Sequence, residues 1–176
     1  MIAQMKKATD CIEERVSLSA ESCRHLSGMA HRSDTPLSSF DLKDLMAELK
    51  FFLFRSARLR QIDVRMEIGR GMQAVYNDPA LLQYVVYRVY VFCLKSLEKG
   101  QRLVMSTEQE KSFAVISFRL FGVSQVNLAG LSDTTLAAVS KLSGKLEEES
   151  VSEDSRMDTV GIRLLLPSVA NTEQLV

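Results

Sequence analysis

The chain has 176 residues, of which 46% are hydrophobic and 25% are charged, as in an ordinary globular protein. Its 22 Lys and Arg balance its 22 Asp and Glu, so the formal net charge is zero. This balance argues against a general affinity for nucleic acid or for an anionic membrane, because both need an excess of basic side chains.

The cysteines, the charged first residues and the shortness of the apolar runs predict a cytoplasmic protein. The three cysteines are odd in number and lack metal-binding spacing, which favours a reducing compartment over a disulfide framework or a zinc site. The opening MIAQMKKATD is too charged for a secretory leader. The longest apolar run in the third predicted helix, Val89 to Leu94, is far shorter than the ~20 residues that a membrane span needs.

Residues 2–30 carry an apolar heptad, which predicts a long N-terminal helix over residues 1–33. Its seam positions are Ile2, Met5, Thr9, Ile12, Val16, Ser19, Cys23, Leu26 and Ala30. A single helix cannot bury such a seam, so we expect a bundle or coiled coil that forms a homodimer through residues 2–30. The alternative is that the seam packs against the globular part of the same chain.

A break in HRSDTPLSS, which contains Pro36, separates this helix from the next one. A second helix is predicted from residue 41 to about residue 60, with Asp41 as its N-cap. IDVRMEI alternates as a strand does, and GRGMQAVY predicts a turn followed by a short strand. DPALLQYVVYRVYVFCLKSL, residues 78–97, then predicts a third helix that begins with Asp78 as N-cap and Pro79 at its first position.

The C-terminal half alternates strands with one more helix. RLVMST and FAVISFRLF are predicted strands, SDTTLAAVSKL is a predicted helix, and GKLEEES and VGIRLLLP are the closing strands. This order predicts an α+β fold over residues 37–168, a two-layer α/β sandwich with a mixed sheet and three helices on one face. Residues 169–176 are predicted to form a C-terminal tail.

These segments resemble, in order and spacing, the catalytic domain of bacterial sensor histidine kinases, which belong to the GHKL class of ATPases. DPALLQYVVYRVYVFCLKSL is similar to the family's DPxRLxQVLxNLLxNAIKxT. PLSSFDLKDLMAELK and the strand after it are similar to the first helix and strand of that domain, and LAAVSKLSGKLEEES with VGIRLLLPS to its last segments. The resemblance covers residues 37–168 and implies a histidine-kinase-type ATPase fold.

The same resemblance implies a degenerate nucleotide site. The two asparagines of the family fall on Arg88 and Phe92, and the second asparagine holds the magnesium of ATP, which a phenylalanine cannot do because it has no lone pair. The aspartate that accepts a hydrogen bond from adenine falls on Leu120, although the following Gly122 is kept. The glycine-rich lid is reduced to residues 129–131. We therefore expect no nucleotide, other cofactor or metal. The pocket is expected to be filled by side chains of the third helix, namely Tyr84, Tyr87, Val89, Tyr90 and Phe92.

The chain has two histidines, and each is a candidate phosphoacceptor. His31 lies in HRSDTPL, which resembles the phosphoacceptor box HELRTPL of the family, but the ATPase-like segment follows without the expected helical hairpin. His25 lies at the c position of the heptad, beside the seam, where its neutral imidazole would be accessible as a nucleophile. The alternative for both residues is an ordinary histidine on a helix.

Two functions follow from the resemblance. The first is a non-catalytic two-component signalling module, a pseudo-histidine kinase, that binds a response regulator receiver domain or a histidine kinase through the bundle and helix 41–60. The second is a histidine phosphotransferase that relays phosphate between response regulators through His25 or, as second choice, His31. A divergent active ATPase or kinase is disfavoured by the missing boxes. Whether the chain is an enzyme stays open at this point.

Overall fold

The computed structural model of the chain describes residues 2–32, 37–69, 71–72, 74–150 and 158–168. The chain divides into two compact units, Met1–Thr35 and Pro36–Val176. The predicted tail, residues 169–176, lies outside the described residues. The two units are described separately below.

The first unit is the predicted N-terminal helix, α1, which runs from Ile2 to Arg32. Two polar residues of its seam bond to the helix itself: Thr9 Oγ1 donates to the carbonyl of Met5 at 3.1 Å, and Ser19 Oγ donates to the carbonyl of Arg15 at 2.8 Å. The apolar seam residues Met5, Ile12 and Val16 are 65%, 62% and 62% exposed. The apolar seam residues whose side chains the structure describes are therefore exposed to solvent.

The described part of the second unit contains three α-helices, and each begins at the residue that its capping chemistry predicts. Asp41 accepts a hydrogen bond from the amide of Lys43, and α2 follows as Leu42–Leu59. Asp78 accepts from the amide of Leu81, and α3 follows as Pro79–Lys95, with the proline at its first position, where no amide hydrogen is needed. Ser132 caps α4, Asp133–Lys141. A side-chain acceptor at each N-terminus satisfies a backbone donor that the helix leaves free.

A five-stranded mixed sheet forms the other layer, and a separate strand pair accompanies it. The strands are β1 Ser38–Phe40, β2 Asp63–Ile68, β3 Val75–Asn77, β4 Arg102–Glu110, β5 Phe113–Phe121, β6 Lys145–Ser150 and β7 Thr159–Pro167. The order in the sheet is β2-β4-β5-β7-β6, where the β2–β4 pair is parallel and the remaining pairs are antiparallel. The separate pair joins β1 to β3 in antiparallel orientation. This arrangement confirms the predicted α+β fold, and β1 is an addition to it.

The core lies between the helices and one face of the sheet. Every second residue of β5 enters it, and β7 contributes in the same way, because successive strand residues point to opposite faces. The members from β5 are Ala114, Ile116, Phe118 and Leu120. They pack in one cluster with buried residues of all three helices. Each fully buried large apolar side chain stabilises the fold by about 1.5–3 kcal/mol.

The contact between α2 and α3 contains a buried tyrosine. Tyr90 is fully buried, and its hydroxyl donates to the carbonyl oxygen of Leu53 at 2.5 Å. Burial raises the pKa of Tyr90, so the phenol stays protonated and remains a donor. One turn further along α3, Arg60 Nη1 donates to the carbonyl of Leu94 at 2.7 Å. These two bonds set the rotation of α3 about its own axis.

Replacing Tyr90 with phenylalanine should therefore lower the free energy of unfolding by about 1 kcal/mol, because one buried hydrogen bond is lost while the ring is kept. The matched control is Tyr84→Phe in the same helix, whose side chain is exposed and whose change should leave stability unaltered. Urea denaturation of both variants measures the difference. Equal stability of the two variants would contradict the assigned role of the Tyr90 hydroxyl.

Candidate functional site

A cleft of about 220 Å³ lies between α3 and the segment that precedes α4. Its wall on the α3 side consists of Arg88, Val91, Phe92, Lys95 and Ser96. The spacing of these residues, three and four apart, places them on one face of the helix. The opposite wall is formed by Gly130, Leu131 and Ser132.

That opposite wall belongs to residues 126–132, here called the cleft segment. Val126 and Leu131 near its two ends are only 4% and 7% exposed. Between them a short 3-10 helix, Leu128–Gly130, is capped by Asn127, whose side-chain oxygen accepts from the amide of Ala129. The amide of Leu128 donates to Glu148 Oε1 of β6 at 2.8 Å. The cleft segment is thus tied to the sheet as well as packed at both ends.

Phe92 packs directly against the cleft segment. A Cβ atom added at Gly130 would lie 2.9 Å from Cε2 of Phe92, which is closer than real Cβ atoms approach another atom. Phe92 is half-buried and packs on the edge of the hydrophobic core. A side chain at position 130 would therefore have to displace the Phe92 ring, so the glycine lets the ring pack directly against the segment.

Two cations line the cleft, and its lining includes no carboxylate. Arg88 is exposed, and its Nη2 donates to Ser132 Oγ at 3.4 Å. Lys95 is exposed in the last turn of α3. The cleft therefore combines an apolar floor with a positive rim.

Leu120 and Gly122 lie outside the cleft. Leu120 is fully buried in the core on β5, where its apolar side chain can accept no hydrogen bond. Gly122 has a φ of 86° in the turn that ends β5, its amide donates to the carbonyl of Asp158 at 2.9 Å, and its own carbonyl accepts from Gln101. A backbone conformation that side chains rarely adopt accounts for this glycine. Of the four predicted site positions, the structure brings Arg88 and Phe92 together and leaves the other two elsewhere.

The prediction that five side chains of α3 fill the pocket is wrong for four of them. Tyr84 and Tyr87 are 37% and 47% exposed to solvent. Val89 is in the core, and Tyr90 bonds to α2. Val89 and Tyr90 face the core side of α3, whereas Tyr84 and Tyr87 precede the part of the helix that lines the cleft, so Phe92 is the one of the five that lines it.

The two histidines lie within α1, at His25 and at His31 near its C-terminal end. Their side chains lie outside the described residues, and the phosphoacceptor assignments stay predictions.

Among the residues that the structure describes, no group of three or more His, Cys, Asp or Glu could hold a metal ion. In α3, burial raises the pKa of the Cys93 thiol, which makes it a poor nucleophile.

Hydropathy adds one finding about the helices. In the described part of the chain, none of them combines the length and the apolar character that crossing a bilayer requires.

Sequence reasoning missed two of the residues that hold the cleft segment. Asn127 carried a usable signal, because asparagine is a typical residue at the N-cap of a helical turn. Glu148 carried none, since its bond to Leu128 depends on which residue of β6 faces the segment, and only the register of the folded sheet decides that.

No protein-family model matches the chain, and no curated protein sequence matches it. Solved structures do match in shape. The nucleotide-free catalytic domain of the histidine kinase ThkA gives a TM-score of 0.62 at 15% identity, over 75% of this chain and 95% of that one. The histidine kinase AdeS of Acinetobacter baumannii gives 0.60 at 13% identity, over 89% of this chain and 80% of that one.

A third match is the structure of ThkA in complex with the response regulator protein TrrA. It gives a TM-score of 0.61 at 15% identity over 76% of this chain, which spans 42% of that kinase chain. Identities this low are informative about the fold and not about activity. The chain has the fold of the histidine-kinase catalytic domain, a GHKL-type α+β sandwich, with a helix before it.

Proposed function

We propose that the chain is a non-catalytic, cytoplasmic module of two-component signalling, which dimerises and binds a response regulator or a histidine kinase without binding ATP. The observation that carries this proposal is the contact of Phe92 with Gly130. A side chain of the protein itself occupies the place where the resemblance implies a magnesium ligand beneath a phosphate-binding lid.

The other residues of the cleft fit a magnesium nucleotide no better. Magnesium prefers carboxylate, phosphate and water oxygens in octahedral geometry. The lining offers the hydroxyls of Ser96 and Ser132 but no carboxylate. Leu120, at the position of the adenine acceptor, is apolar and buried. Metal ligand and base acceptor are thus both lacking at the positions that the resemblance assigns to them.

The choice of partner rests on the fold and on exposed surface. One structure of the same fold holds a response regulator, and we extend that class of partner to this chain. The aromatic residues Phe51, Phe52 and Phe54 of α2 are only partly buried, and Arg55 and Arg58 beside them are exposed. Aromatic and arginine side chains are enriched in protein interfaces. Helix α2 therefore suits the partner surface predicted from the sequence.

Dimerisation rests on the seam of α1. The exposed apolar residues Met5, Ile12 and Val16 recur at the heptad spacing, and a second copy of the helix would cover them. Burial of each such side chain contributes about 1.5–3 kcal/mol when it is complete. A symmetric pair of helices is the simplest arrangement that removes this surface from water.

Calorimetric titration of the full chain with Mg-ATP tests the proposal first, and we expect no heat of binding at millimolar nucleotide. A histidine-kinase catalytic domain that binds nucleotide serves as the control for the conditions. Binding at micromolar concentration would contradict the proposal and return the chain to the class of enzymes. The Phe92→Ala variant tests whether the ring is what prevents binding. If this variant gains affinity for Mg-ATP, the Phe92 ring alone blocks the site.

Sedimentation of the full chain should give a dimer at micromolar concentration, and a single species of 19.7 kDa would contradict the dimer.

The native cysteines report the orientation of the two helices in such a dimer. In a parallel pair, Cys23 at the seam meets its symmetry mate, whereas exposed Cys11 lies off the seam. Mild oxidation should therefore cross-link the Cys11→Ser variant, which keeps Cys23, and leave the matched Cys23→Ser variant unlinked.

The second candidate, a histidine phosphotransferase, is favoured by the helical setting of His25 on α1. Incubation with a phosphorylated receiver domain distinguishes the two functions, and we expect no label on this chain. Label that disappears in His25→Ala, or else in His31→Ala, would contradict the non-catalytic proposal and identify the phosphoacceptor. Label that persists in the double variant would exclude both histidines as acceptors.

A further inference from the structure

One outward face of α3 runs along the helix and into the cleft. Its residues are spaced by three or four positions, so they lie on the same side of the helix. This face, here called the α3 stripe, consists of Tyr84, Tyr87, Arg88, Val91, Phe92 and Lys95. The stripe is about 16 Å long at the rise of an α-helix. That length exceeds the cleft itself and suits a polypeptide segment better than a small molecule.

The composition of the α3 stripe is that of a binding surface. Tyr84 and Tyr87 are the exposed aromatic residues of α3, at 37% and 47% exposure. Arg88 follows Tyr87 directly, and tyrosine and arginine are the side chains most enriched among residues that dominate interface energies. Val91 and Phe92, both partly buried, add an apolar floor.

The two cations of the stripe differ from three arginines of the sheet, Arg65, Arg102 and Arg163. Arg163 pairs with Glu110, and Asp63 pairs with both Arg65 and Arg102. Among the described residues, Arg88 and Lys95 pair with no carboxylate, and the one bond recorded for Arg88 is to a serine hydroxyl. The stripe thus keeps a positive charge that the chain's described residues leave unneutralised.

From this geometry we infer that the α3 stripe binds an acidic segment of the partner protein that also carries an apolar side chain. The apolar side chain enters the cleft against Phe92 and Leu131, and carboxylates of the segment pair with Arg88 and Lys95. The tyrosines extend the contact along α3. This inference rests on the proposed function, since it assigns a surface, in addition to α2, through which the non-catalytic module holds its partner.

Charge decides between this occupant and a second copy of the chain. In a symmetric contact the same patch faces itself, so Arg88 and Lys95 would meet like charges, which oppose association. A partner segment rich in carboxylates has the opposite sign and is attracted.

Selection of random 12-residue peptides on the immobilised full chain tests the inference. We expect the selected peptides to be enriched in Asp and Glu beside Leu or Phe. The double variant Arg88→Glu, Lys95→Glu should weaken their binding by about tenfold or more, and added salt should weaken it in the wild type. The matched control is Lys99→Glu, Lys141→Glu, which makes the same change of charge at exposed positions away from the stripe and should retain binding.

Four outcomes would overturn the inference. The first is that the selected peptides lack acidic enrichment, and the second is that they bind the double variant as tightly as the wild type. In both cases the proposed function would stand, provided that the chain does not bind Mg-ATP. The third is that peptides bind only to a Glu153→Gln, Asp154→Asn variant, which would mean that the chain's own acidic residues occupy the stripe in the wild type. Displacement of the peptides by micromolar Mg-ATP would overturn both the inference and the proposed function.

Discussion

The hydrogen bond from Tyr90 to the carbonyl of Leu53 fixes how α3 faces the rest of the second unit. Nearly every residue of α3 is apolar, so apolar burial alone would tolerate several rotations of the helix about its axis. A buried phenol tolerates only one, because a donor without an acceptor in the core costs about 1–3 kcal/mol. With that rotation set, and with Arg60 holding the carbonyl of Leu94, the positions that face outward are set as well.

Phe92 is among those outward positions, and its packing explains the shape of the cleft. The ring lies against Gly130, so the cleft segment closes on a side chain instead of on a ligand. Glu148 and Asn127 satisfy amides of the same segment, which would otherwise need water or a bound group as partner. The amides of residues 128–131 therefore all have partners within the fold. A lid that must open and close around a nucleotide needs weaker ties than these.

How much of this could be predicted from the sequence depends on whether the relevant interactions are local. Asp41, Asp78 and Pro79 mark the helix starts correctly, since capping involves residues a few positions apart. The order of helices and strands led to the right fold. Strand β1 escaped prediction because its three residues gain their structure from pairing with β3.

The faces of α3 could not be assigned for a related reason. An amphipathic helix shows its buried side through the spacing of apolar residues. In α3 the apolar residues surround the helix, and Tyr84, Tyr87 and Tyr90 are indistinguishable until the partner of each hydroxyl is known. The aromatic residues were consequently all assigned to the pocket, whereas Tyr90 belongs to the core and the other two belong to the surface.

The distribution of charge shows what the exposed face of α3 contributes. On the sheet, the hydrogen bond from Arg163 lowers the pKa of Glu110, and Asp63 lies between two arginines. Exposed ion pairs of this kind contribute little to stability, at most about 1 kcal/mol each. Leaving Arg88 and Lys95 unpaired therefore costs the fold almost nothing, while an unpaired cation beside tyrosines is free to attract an acidic partner. The exposed face of α3 thus combines uncompensated positive charge with aromatic side chains, which is the basis of the interface that we propose.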